Sequence, residues 1–243
     1  MRHIKTFSLF ESVQILTPEQ KNFLDKYTKG GSWSLNPSTG LVDLQGDFNC
    51  SRQGLNDLLG IRFGKASFKF YCNGNYLTSL AGAPQTVGGD FYCFSNILTS
   101  LKGAPETVGG DFYCNDNELT TLEGAPQTVG EEFSCGYNNL TSLAGAPETV
   151  GGGFYTNDLT IPKGKWSMDT LIKIFLDGTP NQKQLVKPLI DPKVLQQQID
   201  ENPEGMLVKL KDVLKHPKLQ GLKWPKHLDQ EKDLLSDLGD VGL

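Results

Sequence analysis

The chain has 243 residues, with 23 Lys and Arg against 28 Asp and Glu and a net charge of −5 at neutral pH. That balance gives no support to nucleic-acid binding. No run of about 18 apolar residues offers a membrane span, and the length suits one large domain or a repeat array with caps.

The opening segment, MRHIKTFSLFESV, is basic but lacks the long apolar core and small-residue cleavage site of a secretory signal. Ile4, Phe7 and Phe10 have helical spacing, which suits a short docking helix; a disordered leader is the other reading. The next segment, TPEQKNFLDKYTKGG, predicts a helix. Thr17 is its N-cap, Pro18 its first residue and Gln20 the partner in a capping box. Phe23, Leu24 and Tyr27 form its apolar face, and Gly30–Gly31 are expected to end it. Residues 1–45 thus read as a leader and an N-terminal helical cap, since the open end of a stack of coils must be covered.

Residues 46–163 repeat. GAPETVGGDFYC (Gly103–Cys114) recurs with small changes at Gly82–Cys93, Gly124–Cys135 and Gly145–Thr156. Cysteines stand at 50, 72, 93, 114 and 135, spaced by 22, 21, 21 and 21, and Thr156 fills the next slot. A Phe precedes each slot by two: Phe48, Phe70, Phe91, Phe112, Phe133 and Phe154. Asn follows by three at Asn75, Asn96, Asn117 and Asn138, and paired Leu residues follow by five and eight. A period of about 20–29 residues with apolar–x–apolar–x–x–Asn–x–Leu–x–x–Leu is the leucine-rich-repeat signature. The fold class expected is therefore a leucine-rich-repeat solenoid of about six coils, with short parallel strands and a helix-free convex side. Phe and Cys, two apart, point inward, and the residue between them points outward. Asn should satisfy backbone groups at the turn. GAP and VGG suit tight connections, and the convex side should be extended or polyproline-like.

The cysteines could be chemistry or filler. Their side chains share one direction, their number is odd, Thr substitutes for one, and no CxxC pair occurs. They are expected to form an inward ladder of small apolar groups. Unpaired thiols favour a reducing compartment, so a cytoplasmic location is expected.

Residues 164–243 change character. Capped helix starts stand at Ser167, Thr179–Pro180, Asp191–Pro192 and Asn202–Pro203. They predict helices near 168–176, 180–190, 192–201 and 203–215, with a last one in LDQEKDLLSDLGDVGL. This is a helical C-terminal module, either a cap or a separate docking unit. The repeats carry 6 Lys/Arg against 12 Asp/Glu, a net of −6, whereas the C-terminal module carries 12 of each. An electrostatic partner of the repeats should be basic.

The cadence NxLTSLxGAPxxV resembles the recognition domain of secreted bacterial ubiquitin ligases. Those enzymes need a catalytic Cys in a helical domain after the repeats, and no Cys follows Cys135. More closely, WSLNPSTGLVDLQGDFNCSRQGLNDLLGIRFGK followed by FYCNGNYLTSLAGAPQTVGGDFYC resembles a group of uncharacterised repeat proteins from large tailed bacteriophages, over residues 33–163. KTFSLFES is similar to short N-terminal tags of internal head proteins of such phages. The resemblance implies a fold and a phage origin but no activity.

No P-loop, GxGxxG, HExxH or GxSxG occurs, and His3, His216 and His227 are remote in sequence from the cysteines. No enzyme, cofactor, metal, membrane or nucleic-acid role is expected. An enzyme would need a deep polar pocket, and the junction of solenoid and helices is the place for one. The position before each Phe reads Asp47, Lys69, Asp90, Asp111, Glu132 and Gly153, and its acids would align outside the core, where a cation or glycosidase site is a further reading. The candidate site is instead the outward strand face, concave in a leucine-rich repeat. It would carry Tyr71, Tyr92, Tyr113 and Tyr155, flanked by Asp90, Asp111 and Glu132 on one side and by Asn73, Phe94 and Asn115 on the other. Tyr brings large contact area with few torsions, although stacked tyrosines also stabilise a sheet without any partner. The function expected is protein binding through this face, by a monomer, to a host or phage protein. The alternative is a structural or internal virion component.

Overall fold

A computed structural model describes residues 14–161, 163, 170–171, 174–175 and 178–187. The expected leader at 1–12, the Ser167 cap, the helices at 192–201 and 203–215, the last helix and all three histidines lie outside the described residues.

The described residues form a parallel β-solenoid of about five turns, opened by one helix. Helix α1 (Pro18–Tyr27) starts at the predicted capping box: the Thr17 hydroxyl accepts from Gln20 N–H, and the Gln20 amide accepts from Thr17 N–H. It ends at Tyr27, before the expected glycines. Gly30 and Gly31 sit instead in a bulge of β1 (Thr28–Leu35), which runs antiparallel to β2 (Val42–Asn49). Gly30 has φ +67°, a conformation that suits a bulge and that glycine reaches without penalty. The N-terminal cap is therefore a helix and a hairpin together. Phe23 of α1 rests on Phe48 of the first rung at 5.7 Å between ring centroids.

Strand β2 founds two ladders. Its start pairs in parallel with β3 (Phe63–Ala66) and its end with β4 (Phe70–Tyr71). From β4 one ladder continues through β6 (Phe91–Tyr92), β8 (Phe112–Tyr113), β10 (Phe133–Ser134) and β12 (Phe154–Tyr155). From β3 the other continues through β5 (Thr86–Val87), β7 (Thr107–Val108), β9 (Thr128–Val129) and β11 (Thr149–Val150). The second side of each coil is thus extended and hydrogen-bonded into its own parallel ladder. The buried Val of each Thr-Val pair explains why: it fills the core opposite the Phe column, which fixes the backbone in register with the coil before it. The connecting glycines are needed for closeness. Gly103 has φ +90°, and a Cβ there would lie 2.7 Å from the Leu80 carbonyl of the preceding coil.

The core consists of columns. Phe70, Phe91, Phe112, Phe133 and Phe154 stack with centroids 5.1–5.6 Å apart and rings within 2–11° of parallel. The five cysteines are buried and unpaired with one another. Cys50, Cys114 and Cys135 donate S–H to the carbonyl of the next rung at 3.4–3.5 Å. Asn75, Asn96, Asn117 and Asn138 bridge coils. Asn96 donates to the carbonyls of Cys72 (3.2 Å) and Cys93 (3.0 Å), and its oxygen accepts from Leu77 N–H (3.0 Å). One amide thereby gives the buried Leu77 N–H its acceptor and shares each carbonyl with the Asn of the adjacent coil, Cys72 O with Asn75 and Cys93 O with Asn117.

After β12 the repeat fails and the chain reverses. Thr156 Oγ1 accepts from the N–H groups of Asp158 and Leu159, and β13 (Thr160–Ile161) returns antiparallel to β12. Thr170, Leu171, Ile174 and Phe175, within the expected 168–176 helix, are helical. Helix α2 (Pro180–Val186) begins at the predicted Thr179 cap with Gln182 completing its capping box. Leu143 N–H donates to Leu185 O at 2.9 Å, and Gln182 donates to Asp158 O at 2.9 Å, so this segment rests on the last coils.

Candidate functional site

The residue between each Phe and Cys points away from the core, as strand geometry requires. Tyr71, Tyr92, Tyr113, Ser134 and Tyr155 therefore form an outer column on β4, β6, β8, β10 and β12. Tyr92 and Tyr113 stack at 4.8 Å with rings 11° from parallel, and Tyr71 leans on Tyr92 at 5.0 Å and 53°. All four tyrosines are half-buried.

The acids beside them do two things. Their oxygens accept from the backbone N–H of the next rung: Asp90 from Asp111 (3.2 Å) and Asp111 from Glu132 (3.0 Å). They also receive the tyrosine hydroxyls. Tyr113 donates to Glu132 at 2.9 Å, and Tyr92 to Asp111 at 3.5 Å. Burial, with the charges of Asp90 and Asp111, pushes the Tyr92 hydroxyl up to about 12. Burial and the bond to Glu132 raise that of Tyr113 further. Both stay protonated donors at neutral pH, which unsuits them as bases. Lys69 pairs with Asp90 at 2.8 Å. Among the described residues no ion pair engages Asp111 or Glu132, and none of their His, Cys, Asp and Glu residues form a group of three able to hold a metal.

The expected site residues divide. Tyr92, Tyr113, Tyr155, Phe94, Asn115 and Glu132 line one open groove of about 640 Å³. Tyr71, Asp90 and Asp111 lie on the same face but outside that groove. Asn73 does not belong to an exposed surface: the residue is 8% accessible, and it stands in its column between Ser51 and Phe94.

The groove also takes in residues that the sequence reading passes over. On the β10 coil the outer column holds Ser134 where its neighbours hold Tyr, and the column just after Cys holds Gly136 between Asn115 and Asn157. Two small residues in one coil leave a notch. Tyr137 stands at its rim, 78% exposed and at φ +51°. Its equivalents are Arg52, Gly74, Ser95 and Asp116, all at positive φ. A bulky aromatic is disfavoured in that conformation. The signal lay in departures from the repeat rather than in the repeat itself.

Comparison with protein-family models, curated proteins and solved structures gives no match.

Proposed function

We propose that this chain is a non-catalytic protein-binding solenoid of the leucine-rich-repeat type. It engages a host or phage protein through the outer face of its Phe-Tyr ladder, in the cytoplasm. The observation that carries the reading is the groove on that face, where aromatic area, hydroxyls and the Glu132 carboxylate, without a cation partner among the described residues, adjoin one another. Tyr-rich surfaces of this kind suit protein contact. The repeats' net charge of −6 favours a basic partner. The resemblance to phage repeat proteins over residues 33–163 supplies the setting.

The test is capture from host lysate with the intact protein and with a Tyr92→Ala/Tyr113→Ala/Asp111→Ala variant whose fold is checked by circular dichroism. A partner retained by the first and lost by the second supports the face. A partner kept by the variant moves the site to the C-terminal segment. Recovery of the protein only in purified particles favours a virion component.

A further inference from the structure

We infer that the notch on the β10 coil is a receptor for one arginine side chain of a protein partner. This deepens the proposed function and rests on it. The outer column is a stack of rings with one ring missing. Rungs lie about 4.8 Å apart, so Tyr113 and Tyr155 stand two rungs, or roughly 9.6 Å, apart at the backbone. Tyr92 and Tyr113 show what an occupied step looks like, at 4.8 Å between rings. Ser134 leaves that step without a ring, and Gly136 bears no side chain that would obstruct it from the side. Gly153 contributes too: a Cβ there would collide with the Tyr155 ring, so its absence lets that ring lie at the far wall.

The chemistry of the walls selects the guest. Glu132 lies at the notch, held by the Tyr113 hydroxyl at 2.9 Å and, among the described residues, by no cation. A neutral aromatic ring would stack but would desolvate this carboxylate without pairing it. An ammonium would pair it, but it is compact, strongly hydrated and has no face to offer the rings. A guanidinium is planar, weakly hydrated, stacks on aromatic faces and offers its fork of donors to a carboxylate. Tyr137, exposed at the rim, is placed to cover the aliphatic stem.

The probe is the blocked tripeptide Gly-Arg-Gly, titrated into isotope-labelled full-length protein, with Gly-Lys-Gly and Gly-Tyr-Gly as competitors in kind. The expected result is saturable, millimolar-range shifts confined to the Tyr113 and Tyr155 rings and the Ser134 and Gly136 amides. The Lys and Tyr peptides should bind at least about fivefold more weakly. Ser134→Tyr fills the notch with the residue that the column otherwise uses, and Glu132→Gln keeps shape while removing charge. Each should weaken the Arg peptide roughly tenfold with the amide spectrum otherwise preserved. Equal binding of Arg and Lys peptides, shifts spread along the whole tyrosine column, no saturable binding, or full affinity in a folded Ser134→Tyr protein would each overturn the inference. The two proposals separate in the lysate experiment. A partner kept by Ser134→Tyr but lost by the triple variant preserves the face and removes the notch. Arg-peptide binding with no protein captured preserves the notch and removes the face as a protein-binding site.

Discussion

The coils carrying Cys93 and Cys114 and the coil carrying Cys135 share one interior and differ in their outer surface. Inside, Phe91, Phe112 and Phe133 stack alike, the thiols are buried alike, and Asn96, Asn117 and Asn138 make the same bridges. Outside, Gly-Asp before the Phe becomes Glu131-Glu132, Tyr becomes Ser134, and the two positions after Cys become Gly136 and Tyr137. The interior is constrained because each side chain is packed between copies of itself, so a change on one rung is felt by two others. The outer column is packed on its flanks but half-exposed above, so a change there meets less constraint. Departures from the repeat there are cheap in stability, and that is where recognition can be written.

Four experiments bear on that contrast. The largest effect should come from alkaline pH. Burial pushes the Cys50 thiol up to about 12, and the thiols of Cys72, Cys93 and Cys114 well above the ordinary value of 9. These groups stay neutral in the folded chain but ionise in the unfolded one. Their stabilisation is fully present below about pH 9 and is lost as pH rises towards the folded values, by about 1.4 kcal/mol per thiol per pH unit. Urea melts between pH 8 and 11 should show a steep fall. Cys93→Thr and Cys135→Thr should flatten it equally if the two coils are alike inside; unequal slopes would break the comparison.

Next in size is Phe112→Ala. It should cost about 3–5 kcal/mol by urea denaturation, because a ring is lost from the middle of a closed stack. Tyr113→Ala, one residue on and facing outward, should cost about 1 kcal/mol. Similar costs would show that the outer column is structural after all.

Asn96→Ala should cost about 2 kcal/mol, since it leaves the Leu77 N–H unpaired in a buried turn and takes one of two donors from each of the Cys72 and Cys93 carbonyls. Asn138 makes the same three bonds but is only half-buried. Water can replace part of its work, so Asn138→Ala should cost about half as much in the same assay. The smallest effect is that of Ser134→Tyr on stability. Completing the ring stack should change it by less than about 1 kcal/mol, upward if at all.

The interior was largely legible in the sequence, because Phe, Cys and Asn recur at fixed offsets and each offset has a geometric meaning. Helix α1 was legible from Thr17, Pro18 and Gln20. Two structural features were not. The Thr-Val strands are two residues long, too short to show alternation, so only their parallel pairing reveals them as a ladder. The hairpin of β1 was hidden by Gly30 and Gly31, which read as a helix stop and serve as a bulge. At the candidate site the tyrosine column was visible but its centre was not. Averaging over copies favours Tyr71 and Asp90, whereas the groove is shaped by the copy that departs, through Ser134, Gly136 and Tyr137. The low exposure of Asn73 arises in the stack, where it stands between Ser51 and Phe94, a relation between rungs that no single repeat displays.

The direction of the terminal strands has a consequence for how the molecule behaves in company. A stack of identical parallel rungs is by construction a template for another of its kind, and an open face would recruit further molecules into a fibre. At the start, β1 covers β2 along its length in the opposite direction, which closes both ladders at once. At the far end, β13 closes the Phe-Tyr ladder by the same reversal. Among the described strands three have one unpaired edge: β1 and β13, which run against the rungs, and β11, which is two residues long. A further copy that would extend the parallel stack therefore meets a strand of the opposite direction at β1 and at β13.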